Sequence, residues 1–336
     1  MHASKLLSLA AAGLAALSVQ AASAASLTVA NGWAPKHVVS QQGVEAWMNC
    51  VSGMDAGIDF NYFPSGQIAK TKEMLDALNK GIADLSIIPM GYVTSKMPLN
   101  GVSLLPDLGS RASEITPAYS KAVRQGKLAD EFAANGIVPV WVIVFPAYQL
   151  MSRGEPLRTK ADFEGKVIRS SGGAMNLTVA AVGSSAAEIP SSDLYVSLER
   201  GTVDGGLSAL ASIPPYKLDE VIKAVSTNGE FGSFSLTFAM VADKWNALND
   251  GQQAAMRNCG SKVEGSFATH LDGQSDQILA DLKASGVTTY EFTAAELAWI
   301  NGQLASVSTD WVSRLEDQSQ PAAEVLASYR KLVKGQ

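Results

Sequence analysis

The residues best placed to do chemistry lie between Phe163 and Ala209. There Lys166-Val167-Ile168 reads as a short strand that delivers Arg169 into a glycine-rich turn, Ser170-Ser171-Gly172-Gly173. A guanidinium is always charged and presents its N–H donors as a planar fork that matches a carboxylate. Ligands of open α/β sheets bind beyond the carboxyl ends of the strands, so Arg169 is the expected anchor for an anionic ligand. Ser171 of the same turn joins the candidate set. Aromatic residues at other strand-to-loop transitions would line a cleft: Trp33, Tyr92, Phe145 and Tyr148, with Phe231 ahead of a later strand.

Other chemistries find little support. No G-x-S-x-G is present, and beyond the first 25 residues the imidazoles are His37 and His270. His270 reads as a solvated residue on a polar helix. His37 follows Trp33 and Pro35 in a strand-to-helix loop and is a cleft candidate, but it has no partner at triad or metal spacing. The Ser-Ser-Gly-Gly turn matches neither G-x-G-x-x-G nor G-x-x-x-x-G-K-[ST], so nucleotide binding is not expected. No pair of carboxylates stands out as a general acid and base. A net charge of −6 without a basic block argues against nucleic acid. The expectation is a small-molecule binder, not an enzyme, with no cofactor and no metal.

The elements that must position Arg169 follow from period and punctuation. Residues 26–31, 58–63 and 83–89 read as strands, alternating with helices over 39–50 and 70–79, which makes a βαβαβ unit. A helix over 114–135 precedes a near-continuous apolar strand, 138–145, of the kind buried on both faces. Pro146 and Tyr148 then mark a change of direction, the first crossing into a second domain. After the stretch 163–209 and a break at Pro214-Pro215-Tyr216, the apolar segment 233–242 crosses back. Helices over 249–285, with a break, 293–318 and 321–334 complete the chain. The pattern L-x-x-G-x-x-D occurs as Leu78 to Asp84 and again as Leu198 to Asp204, each after a Pro-Ser pair and before a strand. It predicts two similar halves in which Gly caps a helix and Asp turns into the next strand.

A length of 336 residues suits two such domains. The predicted fold class is α/β: two lobes joined by a hinge of crossing strands, the architecture of a hinge-closing ligand trap. The first lobe takes 26–146 and 235–275; the second takes 147–234 and 276–336. Lys5, the apolar run Leu6 to Val19 and Ala22-Ser23-Ala24 read as a secretory signal over 1–25, cleaved after Ala24 or Ala25. A retained membrane anchor is the rival, but the run is shorter than the roughly 20 residues a span needs. The two cysteines, Cys50 and Cys259, then meet an oxidising periplasm. They form either one disulfide between an early and a late helix or two separately buried thiols.

Phe63-Pro64-Ser65-Gly66-Gln67-Ile68 with Leu78 to Ser86, then Asp162 to Arg169, and finally Leu198 to Gly205 together carry a further reading. In that order and context the chain resembles the extracytoplasmic solute receptors of tripartite ATP-independent periplasmic (TRAP) transporters, the DctP family. The resemblance covers nearly all of the chain after the signal. It implies a periplasmic-binding-protein-like fold of two α/β lobes with a long C-terminal helix spanning both, delivery of an organic anion to a membrane permease driven by an ion gradient, and a signature arginine on the ligand carboxylate that matches Arg169. Two departures are read through it. The second arginine of many relatives is matched here to Gln149, and the Asn of their Glu-Asn-Pro run to Ser208. With one fixed charge and one amide missing, the expected ligand moves from C4-dicarboxylates and sialic acid to a monocarboxylate with an apolar or aromatic body. The expected site is Arg169, Gln149, Ser208, Trp33, His37, Tyr92, Phe145, Tyr148, Ser171 and Phe231, in a monomer served by TRAP permease subunits. A sensory module for a membrane receptor, or a periplasmic enzyme acting on an organic acid, would use the same lobes.

Overall fold

The computed structural model of the chain describes residues 25–335. The expected secretory signal, except for Ala25, lies outside the described residues. The strands are β1 (Ala25–Ala30), β2 (Ile58–Phe63), β3 (Leu85–Pro89), β4 (Ile137–Val144), β5 (Gln149–Ser152), β6 (Val167–Ser170), β7 (Ser185–Glu188), β8 (Gly205–Ser208), β9 (Ala224–Ser226), β10 (Ser235–Val241) and β11 (Thr288–Tyr290). The helices are α1 (Ala46–Ser52), α2 (Met74–Asn79), α3 (Ala112–Ala122), α4 (Gly126–Ala134), α5 (Lys160–Phe163), α6 (Ala174–Ala181), α7 (Leu194–Glu199), α8 (Ala242–Asn246), α9 (Asp250–Gly273), α10 (Ser275–Ala284), α11 (Ala294–Glu316) and α12 (Ala322–Val333).

These strands form two sheets, ordered β2-β1-β3-β10-β4 and β11-β9-β5-β8-β6-β7. In each, three successive strands run parallel and one strand from the other half of the chain is inserted antiparallel: β10 beside β3 in the first, β5 beside β8 in the second. The apolar run of β4, an edge strand, and the neighbouring β10 are buried nearly throughout, because α3, α4 and α9 pack against β4.

The repeated L-x-x-G-x-x-D has the same job in both sheets. Gly81 and Gly201 take positive φ of 67° and 72° to end α2 and α7. Asp84 then donates its backbone N–H to Thr28 O while its carboxylate accepts the Thr28 N–H at 2.8 Å. Asp204 makes the same pair of bonds with Val167, also with 2.8 Å to the carboxylate. The aspartate therefore does more than turn the chain: it fixes the start of each third parallel strand against the first.

Two crossing segments form the hinge and bond to each other. Phe145 donates to Phe234 O, and Tyr148 donates to Gly232 O. Pro146, which has no N–H, falls between these two donors without breaking the ladder. Gly232 has φ 95°, and a Cβ there would lie 2.3 Å from Leu104 O, so this pivot requires glycine. Cys50 of α1 and Cys259 of α9 form a disulfide, both within the first lobe.

Three expectations are corrected. The helix expected over 114–135 is two helices, because Gly126 takes φ 65° after an extended Gln125. The one over 39–50 opens as a wide π-type turn, Val39–Glu45, before α1. There Trp141 packs so close to Gly43 that a Cβ would meet its ring at 2.8 Å. The second lobe does not own everything after 276. At its start α11 packs Trp299 on Phe163 of the second lobe, and further on Trp311 reaches Gly101 of the first. Then α12 packs on α3, with Tyr329 edge-on to Tyr119.

Candidate ligand-binding cleft

The parallel strands of both sheets point their carboxyl ends at the space between the lobes, where the strand ends and the loops that follow them supply the side chains. Arg169, in β6, is fully buried. Its Nε donates to Ile189 O at 2.7 Å and its Nη1 to Leu207 O at 2.8 Å; Nη2 faces Ser191 Oγ at 3.1 Å and Tyr92 Oη at 3.4 Å. All of these partners are neutral, and none of the ion pairs among the described residues includes Arg169. Dipoles aim the fork, but a buried cation without a counter-charge is costly to maintain. Gly206 lies beside Arg169 in register, and a Cβ there would stand 3.3 Å from the arginine Cβ.

Around the guanidinium stand phenols. The tyrosines Tyr148 and Tyr216 are both held above the usual tyrosine range, chiefly by burial, and both feel the charge of Arg169 and the hydroxyl of Tyr92. Phe234 packs between Tyr92 (5.4 Å between centroids) and Tyr148 (6.1 Å). Beyond Tyr216 lies His37, 5.2 Å away, and beyond that Trp33, at 6.0 Å. His37 accepts the Val39 N–H on Nδ1 at 3.1 Å, and its Nε2 is buried with no partner. Burial lowers its pKa to about 3, so the ring is neutral at physiological pH.

The loop bearing Trp33 and His37 is fixed by Asn31, buried at the end of β1. Its Nδ2 donates to Ser40 Oγ and to Tyr62 Oη, both at 2.8 Å, and its Oδ1 accepts the Trp33 N–H at 3.1 Å. The lobes are closed on one another. Ser191 donates its backbone N–H to Tyr92 Oη at 3.0 Å, and Lys72 pairs with Glu188 at 3.7 Å. Gly91 and Gly172 meet so closely that a Cβ on Gly172 would lie 2.9 Å from Gly91 O.

The structure thus brings together Arg169, Tyr92, Tyr148, His37 and Trp33. Ser208 sits on the face of β8 that Gly206 shares with Arg169, two residues nearer the strand end, with its hydroxyl buried and unpartnered. The other candidates are engaged elsewhere. Gln149 is corrected from a ligand contact to a hinge clamp: its Nε2 donates to Gly229 O at 2.7 Å, and its Oε1 accepts from Ser226 Oγ and the Gly229 N–H. Phe145 packs on Phe267 of the first lobe, Phe231 on Phe292 of the second, and the Ser171 hydroxyl on Met175 Sδ. The sequence reading missed Tyr216, Phe234 and Ser191. Tyr216 carried a cue in the Pro-Pro that stops the chain before it, and Ser191 in the Pro-Ser pair; Phe234 is one more apolar residue in an apolar run.

Two α/β lobes closed about a buried cation on a hinge of paired crossing strands have the architecture of a hinge-closing ligand trap. The model of bacterial extracellular solute-binding protein family 7, DctP, matches residues 29–313, and the chain belongs to that family. A solute-binding protein of Albidiferax ferrireducens is 24% identical over 255 residues, 71% of this chain and 74% of its own. Among solved structures, a TRAP solute binding protein from Rhodoferax ferrireducens, in complex with copurified benzoate, has a TM-score of 0.85 at 21% identity, covering 92% of this chain and 98% of that one. A marine metagenome TRAP solute binding protein from an unidentified microbe, described as specific for aromatic acid ligands and bound to metahydroxyphenylacetate, has a TM-score of 0.86 at 18% identity, covering 93% and 99%. At these identities the likeness is one of fold. No helix among the described residues is long and apolar enough to cross a membrane.

Proposed function

We propose that the chain is exported by residues 1–25 and captures a small aromatic monocarboxylate for delivery to a TRAP permease. The observation that carries this reading is Arg169, a fully buried guanidinium whose partners among the described residues are all neutral. One carboxylate completes it; the rings around it are tyrosines, a neutral histidine and a tryptophan, and Lys72, which lies 5.7 Å over the Tyr92 ring, is already paired with Glu188. The carboxylate takes the guanidinium fork with help from the hydroxyls of Tyr148 and Tyr216, and the aromatic walls hold the ring by area and edge-to-face contact. Arg169 belongs to the second lobe and Trp33, His37 and Tyr92 to the first, so a bound acid bridges both and favours closure. The benzoate and metahydroxyphenylacetate complexes of two relatives of the same fold point to the same ligand class.

The test is a thermal-shift screen of the purified exported chain against benzoate, phenylacetate, succinate, malate, galacturonate and acetate. The aromatic monocarboxylates raise Tm most, and the dicarboxylates leave it nearly unchanged. A larger shift from succinate or malate than from any aromatic acid would overturn the reading.

A further inference from the structure

The aromatic cluster beside Arg169 has a second polar feature, at His37. Val39 donates its backbone N–H to His37 Nδ1 at 3.1 Å, so in the neutral ring Nδ1 is the acceptor and the proton sits on Nε2. That Nε2–H is buried and without a partner, on a residue only 3% exposed. The imidazole lies 5.2 Å from Tyr216, the phenol that feels the charge of Arg169, and 6.0 Å from Trp33. A cation and a fixed neutral donor are thus linked through the ring of Tyr216. A buried N–H left without an acceptor costs on the order of 1–3 kcal/mol. Asn31 holds the backbone of this loop through Trp33 and Ser40.

We infer that His37 reads an acceptor oxygen on the ligand at the end remote from its carboxylate, so that the favoured ligands are aromatic acids bearing a ring hydroxyl or carbonyl rather than the bare acid. This rests on the aromatic-acid reading above. The donor works by position: the fixed tautomer presents one N–H, and an apolar substituent of the same size would leave it unmatched. A site built to hydrogen-bond a substrate oxygen rejects the analogue lacking it far more strongly than an apolar pocket rejects an extra methyl group.

The experiment is calorimetric titration of the exported chain with benzoate and with size-matched pairs, 3-hydroxybenzoate against 3-methylbenzoate and 4-hydroxybenzoate against 4-methylbenzoate. In at least one pair the hydroxy acid binds about 10- to 100-fold more tightly. His37→Asn, whose amide oxygen can still accept the Val39 N–H while nothing reaches the Nε2 position, brings the two acids of that pair within about threefold of each other, whatever it does to the affinity of both. His37→Gln, which places an amide N–H near the Nε2 position, restores part of the preference. Equal or tighter binding of both methyl acids by the wild type overturns the inference, whether or not any variant folds. A preference that persists in His37→Asn overturns it as well. Should benzoate bind without discrimination in either pair, only this inference falls; should no aromatic acid bind, the proposed ligand class falls with it.

Discussion

The two lobes are one design used twice, and they differ where the ligand would sit. Thr28 and Val167 are equivalent, because each exchanges the same pair of hydrogen bonds with the aspartate that ends its L-x-x-G-x-x-D. Counting on two residues sets Ala30 against Arg169, and three sets Asn31 against Ser170. The registers agree: Ala30 pairs with Ser86, two residues after Asp84, and Arg169 with Gly206, two after Asp204. The first lobe thus carries a methyl group where the second carries a permanent charge, and spends the next residue, Asn31, on holding the loop that bears Trp33 and His37. The scaffold supplies the strand end; the anion site is an addition to one copy. On our reading the second lobe fixes the acid group and the first selects the body attached to it.

That division is open to several tests. The largest expected effect falls on the first lobe, which alone holds the disulfide. Cys50 and Cys259 are 209 residues apart in sequence, and cross-linking so long a loop restricts the unfolded chain by up to about 5 kcal/mol in the chain-entropy picture. Replacing both cysteines by serine should lower urea-unfolding stability by about 2–5 kcal/mol, with the loss in the first lobe. Unchanged stability, or loss confined to the second lobe, would break the comparison.

Next comes pH. His37 titrates near 6.5 when unfolded and at about 3 in the folded chain, so the native state takes up fewer protons. Its contribution to stability is complete above pH 6.5 and is lost as pH falls from there toward 3. The slope is at most about 1.4 kcal/mol per pH unit. His37→Asn should therefore flatten the decline of Tm between pH 6.5 and 4.5 relative to wild type. Parallel curves would show that the first-lobe imidazole is not buried neutral. The smallest effect is the matched pair Asp84→Ala and Asp204→Ala, each expected to cost about 1–3 kcal/mol through an unpaired strand N–H. Asp84 also pairs with the exposed Lys244 at 3.3 Å, which adds at most about 1 kcal/mol. A wide disparity between the two variants would argue against equivalence.

Much of this architecture was legible in the chain. Gly81, Gly201 and their aspartates punctuate both halves identically because each answers a backbone demand, a left-handed cap and an unpaired strand N–H. Arg169 was legible because Val167-Ile168 carries it to the carboxyl end of a strand, directly ahead of a glycine-rich turn. What the sequence could not show is direction. In Phe145-Pro146-Ala147-Tyr148-Gln149 the proline interrupts the period-two alternation, so nothing in the order of residues says that Tyr148 meets Arg169 while Gln149 turns to Gly229. Phe145 and Phe231 look like cleft aromatics by position, yet Phe267 and Phe292, far away in sequence, claim their rings. The unmatched Nε2 of His37 is likewise a tertiary fact, since its tautomer depends on the Val39 N–H and its isolation on how the lobes close.

The central claim is that the second lobe alone anchors the anion, through Arg169. Calorimetric titration of Arg169→Ala with the tightest-binding acid of the thermal-shift screen tests it most directly. The account predicts an affinity lower by about 100- to 1,000-fold, the consequence of leaving a buried carboxylate without its cation. Binding within threefold of wild type by a folded Arg169→Ala variant would contradict it.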